Sequence, residues 1–204
     1  QTYVSVGAVN ARGIIQNNDL DRYNFSVRNT TSMLNDKLTM DLSFMYSNVK
    51  EQNMLSQGEY ANPLVPVYLF PRGDDFSKYQ YYERYDVDRN IKTQFWPLKE
   101  NGLSMQNPYW ITNRNMYTNK KDRFLASGSL KYTITDWLNV SGRVKLDKET
   151  INSEKKMYAS TLNVIAENSD KGAYVQSNKN TSQIYADAML NINKYFYHYT
   201  WNLT

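Results

Sequence analysis

No cysteine occurs among the 204 residues, which excludes disulfide frameworks and thiolate metal sites. One histidine is present, His198, so a multi-histidine zinc site or a metalloprotease helix cannot be assembled. With no motif around it, His198 reads as a polar residue on a strand that faces a barrel interior. The phosphate-binding loop, the nucleophile elbow and the glycine-rich dinucleotide fingerprint are all missing. The adjacent acids Asp74 and Asp75 follow Gly73 and read as turn residues rather than as an arm of an acid/base or calcium site. The chain is therefore expected to be no enzyme and to hold no cofactor and no metal.

Long apolar runs are also lacking. The longest nearly apolar stretch, residues 63–70, is broken by proline and far short of the ~20 residues of a spanning helix. No cleavable signal peptide opens the sequence, so an exported protein would have lost one or begun further upstream. Charge of one sign is scarce: the net +4 is spread as Lys and Arg among acids, which argues against a nucleic-acid partner.

What the chain has in abundance is tyrosine, 18 residues against 7 Phe and 4 Trp, at a mean hydropathy of -0.71. Tyrosine suits surfaces that are apolar on one side and wet on the other, including the girdles of membrane barrels. A soluble tyrosine-rich β-protein fits this composition as well.

Alternation marks the strands in either case, a sandwich core included, and it is their length that separates these readings. Tyr23, Phe25, Val27 and Met33 share one parity against Arg22, Asn24, Ser26 and Arg28; Leu38, Met40, Leu42, Phe44 and Tyr46 stand against Thr39, Asp41 and Ser43. The pattern returns at Phe124–Ile134, Leu138–Leu146 and Ile184–Ile192, more loosely at 3–11, and again at 197–203. Period two over such lengths means strands with one apolar and one polar face. The runs are about 10 to 14 residues, against about 5 to 6 for globular strands and about 9 to 11 for tilted membrane strands. Tyr23, Tyr46, Tyr132, Trp137 and Trp201 fall near strand ends, where interfacial girdles would lie.

The connections alternate in length. Short links are expected at Asn35-Asp36, Thr135-Asp136 and 194–196, and longer ones at 14–20, 51–120 and 152–180. That parity is the one expected of tight periplasmic turns and extended external loops. The fold class expected is all-β: a segment of a large antiparallel transmembrane β-barrel, about seven strands, with long extracellular loops. An open sheet of that kind would leave edge groups unpaired in hydrocarbon, and bacterial single-chain barrels carry even strand numbers. Residues 1–204 are accordingly read as a partial barrel domain whose remaining strands lie outside them.

Tyr60-Ala61-Asn62-Pro63-Leu64, Tyr68-Leu69-Phe70-Pro71-Arg72-Gly73-Asp74-Asp75, Gln94-Phe95-Trp96, Met105-Gln106-Asn107-Pro108-Tyr109-Trp110 and Asn113-Arg114-Asn115 follow one another in the long external segment. Asp122-Arg123-Phe124, Leu130-Lys131-Tyr132, Thr135-Asp136-Trp137-Leu138 and Gly142-Arg143-Val144 come next. Upstream stand Asn10-Ala11-Arg12-Gly13-Ile14, Asn17-Asn18 and Leu20-Asp21-Arg22. In this order and spacing the set resembles the SusC/RagA family of TonB-dependent outer-membrane transporters from Bacteroidetes, over residues 4–192 or so.

The resemblance implies a plugged barrel of about 22 strands, of which this chain lacks the plug domain and the segment that engages TonB. It also implies a place in the bacterial outer membrane, in contact with its lipids. A SusD-like surface lipoprotein would act as partner, the TonB complex would act through the absent N-terminal region, and the cargo would be glycan or peptide. Two alternatives stay open: a passive porin or adhesin barrel without a plug, and a soluble tyrosine-rich carbohydrate-binding β-module. Arg28, Asp41, Lys131, Arg143 and Lys145 are expected to line the lumen. Arg72, Trp96, Tyr109, Trp110 and Arg114 could stack on and hydrogen-bond a substrate, or else pack the long loop into a rigid cap.

Overall fold

The computed structural model of the chain describes residues 1–54, 60–98, 106–196 and 199–203. Among the described residues the strands are, in chain order, β1 (Thr2–Arg12), β2 (Asp19–Met33), β3 (Leu38–Gln52), β4 (Glu83–Asp86), β5 (Ile91–Gln94), β6 (Asn115–Thr135), β7 (Leu138–Met157), β8 (Ala173–Phe196) and β9 (Tyr199–Leu203). Two short helices, α1 (Leu64–Tyr68) and α2 (Pro108–Arg114), lie between β3 and β6, as does the β4–β5 hairpin. The other seven strands form one antiparallel sheet in the order β1-β2-β3-β6-β7-β8-β9, which is not closed on itself. The fold is all-β, with the large antiparallel sheet of the expected class and an arrangement compatible with a segment of barrel wall.

Register brings the apolar runs of separate strands onto one face. Val27, Phe44, Ala126, Leu146 and Ile184 stand opposite one another across β2, β3, β6, β7 and β8. The next row of the same parity is Asn29, Leu42, Gly128, Val144 and Ala186. A one-residue slip in any ladder would send that strand's apolar set to the other face, so the pattern and the pairing specify each other. Phe44 links two neighbours, its ring 6.1 Å from that of Phe25 and 4.9 Å from that of Phe124 in an edge-on contact. Among the described residues nothing covers this face: Val6 is 77% exposed and Ile184 75%.

The apolar stretches at 38–46, 138–146 and 184–192 are nine residues each. Beyond Tyr46 and Phe124 the same face turns abruptly polar, first with Asn48, Asp122, Thr150 and Asn180 and then with Lys50, Lys120, Asn152 and Asn178. Tyr46 marks the boundary, donating its hydroxyl to Asp122 at 2.7 Å. At the opposite boundary Trp137 lies under the Lys194 ammonium, 4.5 Å from the ring centroid.

Several expected boundaries are corrected. β6, β7 and β8 run for 21, 20 and 24 residues, well past the apolar band. Residues 152–157 and 173–180, expected in a loop, are strand, and so are 51–52, 115–120 and 194–196. Outside the band neither face is consistently apolar, so the alternation that betrays a strand disappears while the ladder continues. Cross-strand side chains hold it there: Thr150 donates to Asn180 at 2.8 Å, Tyr174 donates to Glu154 at 2.8 Å, and Asn178 bonds Asn152. The β7–β8 connection shortens to 158–172 and re-enters the sheet at Gly172, whose φ is +84° and where a Cβ would sit 2.2 Å from the Met157 carbonyl oxygen. The tight link after β2 is made by Leu34, Asn35 and Asp36, all with positive φ. Leu34 is an unfavourable residue for that conformation, while Asn and Asp tolerate it.

Candidate functional site: the loop cap and the polar face

The segment between β3 and β6 folds as a cap around an aromatic cluster. Phe70 lies 5.0 Å from Phe76, 5.5 Å from Tyr79 and 5.6 Å from Trp96, and Tyr109 lies 5.9 Å from Phe76. Such tilted and edge-on pairs are the favoured aromatic arrangement. Asn107, fully buried, ties the cluster together. Its side chain caps α2 by accepting from the Tyr109 N–H at 2.8 Å, and donates to the carbonyls of Tyr79 (2.8 Å) and Phe95 (3.0 Å). Asn followed by Pro108 at the first helical position is a helix-start signature, so α2 had a local signal.

Three connections join in this cap. Trp110, 0% exposed, donates its indole N–H to Thr161 at 3.0 Å, and Thr161 donates in turn to Asn115 at 2.8 Å. Arg89 donates to the Asp170 carbonyl at 2.7 Å, and the Gln94 N–H to the Ser160 hydroxyl at 2.9 Å. From the β1–β2 connection, Asn17 donates to the Thr112 carbonyl at 3.0 Å and Asn18 to that of Asn53 at 2.9 Å. Between cap and sheet lies a cavity of about 490 Å³ lined by Ile15, Met54, Ile111, Tyr117, Lys155 and Met157 among others. Tyr117, Lys155 and Met157 have the parity of the polar face, so the cap overhangs that face and not the apolar one.

Arg114, at the end of α2, binds Glu83 of the β4–β5 hairpin through two nitrogens at 2.7 and 2.8 Å. Lys92 takes the other carboxylate oxygen at 2.6 Å, and the Arg114 guanidinium also lies 4.9 Å from the Tyr158 ring centroid. Burial pushes the Glu83 carboxyl up, but the bonds from Lys92 and Arg114 outweigh it and leave it below its ordinary range. Asp75 caps the 3-10 turn at 76–80, accepting from the Ser77 N–H (3.0 Å) and hydroxyl (2.6 Å), which hold its carboxyl low. Asp74 accepts from Tyr79 at 3.1 Å. The acid pair is thus turn structure, and among the described residues no cluster of three or more metal-ligating side chains occurs.

The candidate substrate contacts are distributed unevenly over this cap. Trp96 (3% exposed) and Trp110 are interior packing and offer no open ring face, and Arg114 is committed to Glu83. Tyr109 is half-buried against Phe76, and Arg72 is exposed on the turn after α1. The five residues do not form one open stacking surface; the aromatic spacing came from the cap's own core.

The five candidate lining residues do share a face. Arg28, Asp41, Lys131, Arg143 and Lys145 all have the polar parity. Arg28 bonds Asp41 bidentately, with contacts down to 2.6 Å, and Arg143 bonds Asp187 at 2.7 and 3.0 Å. A third pair, Arg123–Asp147 at 2.6 and 3.0 Å, is a constellation sequence alone did not single out, because pairing depends on register between strands. Forked Arg–carboxylate bonds hold both partners in fixed geometry. Ser43 and Ser127 share a hydrogen bond of 2.7 Å on the same face. His198 and the side chain of Trp201 lie outside the described residues.

No family model matches the chain, and no curated protein sequence matches it. No helix among the described residues is long and apolar enough to cross a membrane, which bears on helical spans only.

Proposed function

We propose that the chain is a wall segment of a TonB-dependent outer-membrane importer of the SusC/RagA kind, taking up oligosaccharides or peptides with a SusD-like lipoprotein. The observation that carries this reading is the uncovered apolar band, nine residues tall in three strands and in register from β2 to β8. A contiguous apolar surface of that extent on a folded chain marks an interaction or membrane surface. Its height matches the ~9 to 11 residues of a tilted spanning strand. Aromatics at both boundaries, tight turns at one end and a folded cap at the other add to it. The family itself rests on the ordered motifs in the sequence.

On this reading the Arg–carboxylate pairs face the lumen, the cap stands outside the cell over the lumen mouth, and the edges at β1 and β9 pair with further strands. Residues of the plug and the TonB-engaging segment are supplied by other parts of the protein. Uptake of labelled oligosaccharide and peptide mixtures by cells carrying the full-length protein, with and without TonB, tests the proposal. Uptake that disappears without TonB is expected. Uptake indifferent to TonB would indicate a passive pore, and a segment that folds as a detergent-free monomer would indicate a soluble binding module.

A further inference from the structure

Lys50 and Lys120 stand directly opposite each other on β3 and β6, both exposed and both on the face that carries the apolar band. Like charges in direct cross-strand register destabilise a sheet. The acids that act on them are shared with other partners. On the other side of Lys50 is Asp21, already engaged by Asn10 at 2.9 Å and Arg12 at 3.0 Å. Glu154, the acid whose charge reaches Lys120, already accepts from Tyr174 at 2.8 Å and pairs with Lys156 at 3.2 Å. Between these lysines and the band lies Asp122, occupied by Tyr46 and Asn48 at 2.7 Å each. A third exposed cation, Lys148, sits opposite Phe124 in the top row of the band.

The three lysines thus mark one edge of the apolar band, on the side of the cap. Four residues separate Tyr46 from Lys50, about 13 Å of strand, or about 9 Å along the normal for a strand tilted ~45°. That spans the headgroup layer next to the hydrocarbon, whose total width with both headgroup regions is about 40–45 Å. Lys148, in the top row of the band, can lay its stem on the apolar surface while its ammonium group reaches into that layer.

We propose that Lys50, Lys120 and Lys148 form a docking site for the phosphate groups of anionic lipid headgroups in the leaflet on the cap side, the lipid adding counter-charge to that of acids the facing lysines share with other partners. The inference rests on the membrane-wall reading above. Its occupant is a lipid because the cations adjoin the apolar band, where acyl chains would lie against Val27, Phe44 and Leu146.

The test uses the full-length protein in neutral-detergent micelles doped with bisphosphorylated lipid A or with phosphatidylcholine, with bound lipid counted by native mass spectrometry. Lipid A is expected to be retained preferentially. Each single change among Lys50→Gln, Lys120→Gln and Lys148→Gln should weaken retention about fivefold, and the triple change should abolish the preference. Lys131→Gln with Lys145→Gln, on the opposite face, should leave it intact. In detergent without anionic lipid, Lys50→Gln should leave the melting temperature unchanged or raise it, since a repulsion is removed.

Equal retention by the triple variant, an equal loss in the opposite-face variant, or full displacement of lipid A by millimolar inorganic phosphate would overturn the proposal. Quenching of tryptophan fluorescence by brominated lipid is read in parallel. Quenching without lipid A preference sinks the headgroup site alone, whereas absence of quenching sinks the membrane-wall reading itself.

Discussion

Arg114 and Glu83 are joined by two hydrogen bonds of 2.7 and 2.8 Å that clamp the end of α2 to the β4–β5 hairpin, 31 residues earlier in the chain. Both side chains are largely buried, 26% and 16% exposed, so the pair is shielded more than a surface ion pair. Removing one partner leaves the other desolvated without compensation. Glu83→Gln should therefore loosen the cap by about 1–3 kcal/mol, read as faster hydrogen exchange at 83–94 and 108–114 with the sheet unaffected.

The same carboxylate gives a pH dependence. Its folded pKa lies below the ordinary glutamate value, so its contribution is complete above the unfolded pKa and is lost as pH falls through the folded one. Cap protection should be flat from neutral pH down to about 5 and decline below about 4.3. In the Glu83→Gln variant that acid-side decline should shrink, as limited proteolysis at stepped pH would record.

Trp110 and Thr161 carry the junction between the two longer connections. Trp110→Ala opens a cavity in the centre of the cap and should cost it about 3–5 kcal/mol. Thr161→Val keeps the volume but leaves the indole N–H and the Asn115 side chain each short of a partner, for about 1–3 kcal/mol. Both should expose 158–172 to protease while leaving assembly of the wall intact.

The two faces of the sheet should answer differently to charge. Leu42→Arg, in the middle of the apolar band, is expected to destabilise insertion by about 2–4 kcal/mol. Ser26→Arg, on the polar face, should cost less than about 1 kcal/mol by the same measure. Folding of the full-length protein into liposomes against urea supplies both numbers, and equal costs would remove the distinction between the faces.

The strands within the band were legible because period two survives wherever one face is apolar: Leu38 to Tyr46 and Leu138 to Leu146 declare themselves. Their outer continuations were not, since Lys120, Asn152 and Asn178 resemble loop residues until the ladder places them side by side. Parity also gave the shared face of Arg28, Asp41, Lys131, Arg143 and Lys145, but not the partners Asp147 and Asp187, which need inter-strand register. The cap was least legible. Trp96, Tyr109 and Trp110 are as suited to a sugar-stacking surface as to a loop core, and only contacts such as Trp110–Thr161, 51 residues apart, separate the two.

The absence of cysteine makes the central claim directly measurable, because any introduced thiol is the only one in these 204 residues. Single cysteines at Asn139, Val140, Ser141, Gly142, Val144 and Lys145 along β7 can be probed in the full-length protein in its membrane. A water-soluble maleimide should label Asn139, Ser141 and Lys145, while a bilayer-confined quencher should reach fluorophores only at Val140, Gly142 and Val144. Maleimide labelling of both parities along the strand, with no quenching at either, would contradict a membrane wall.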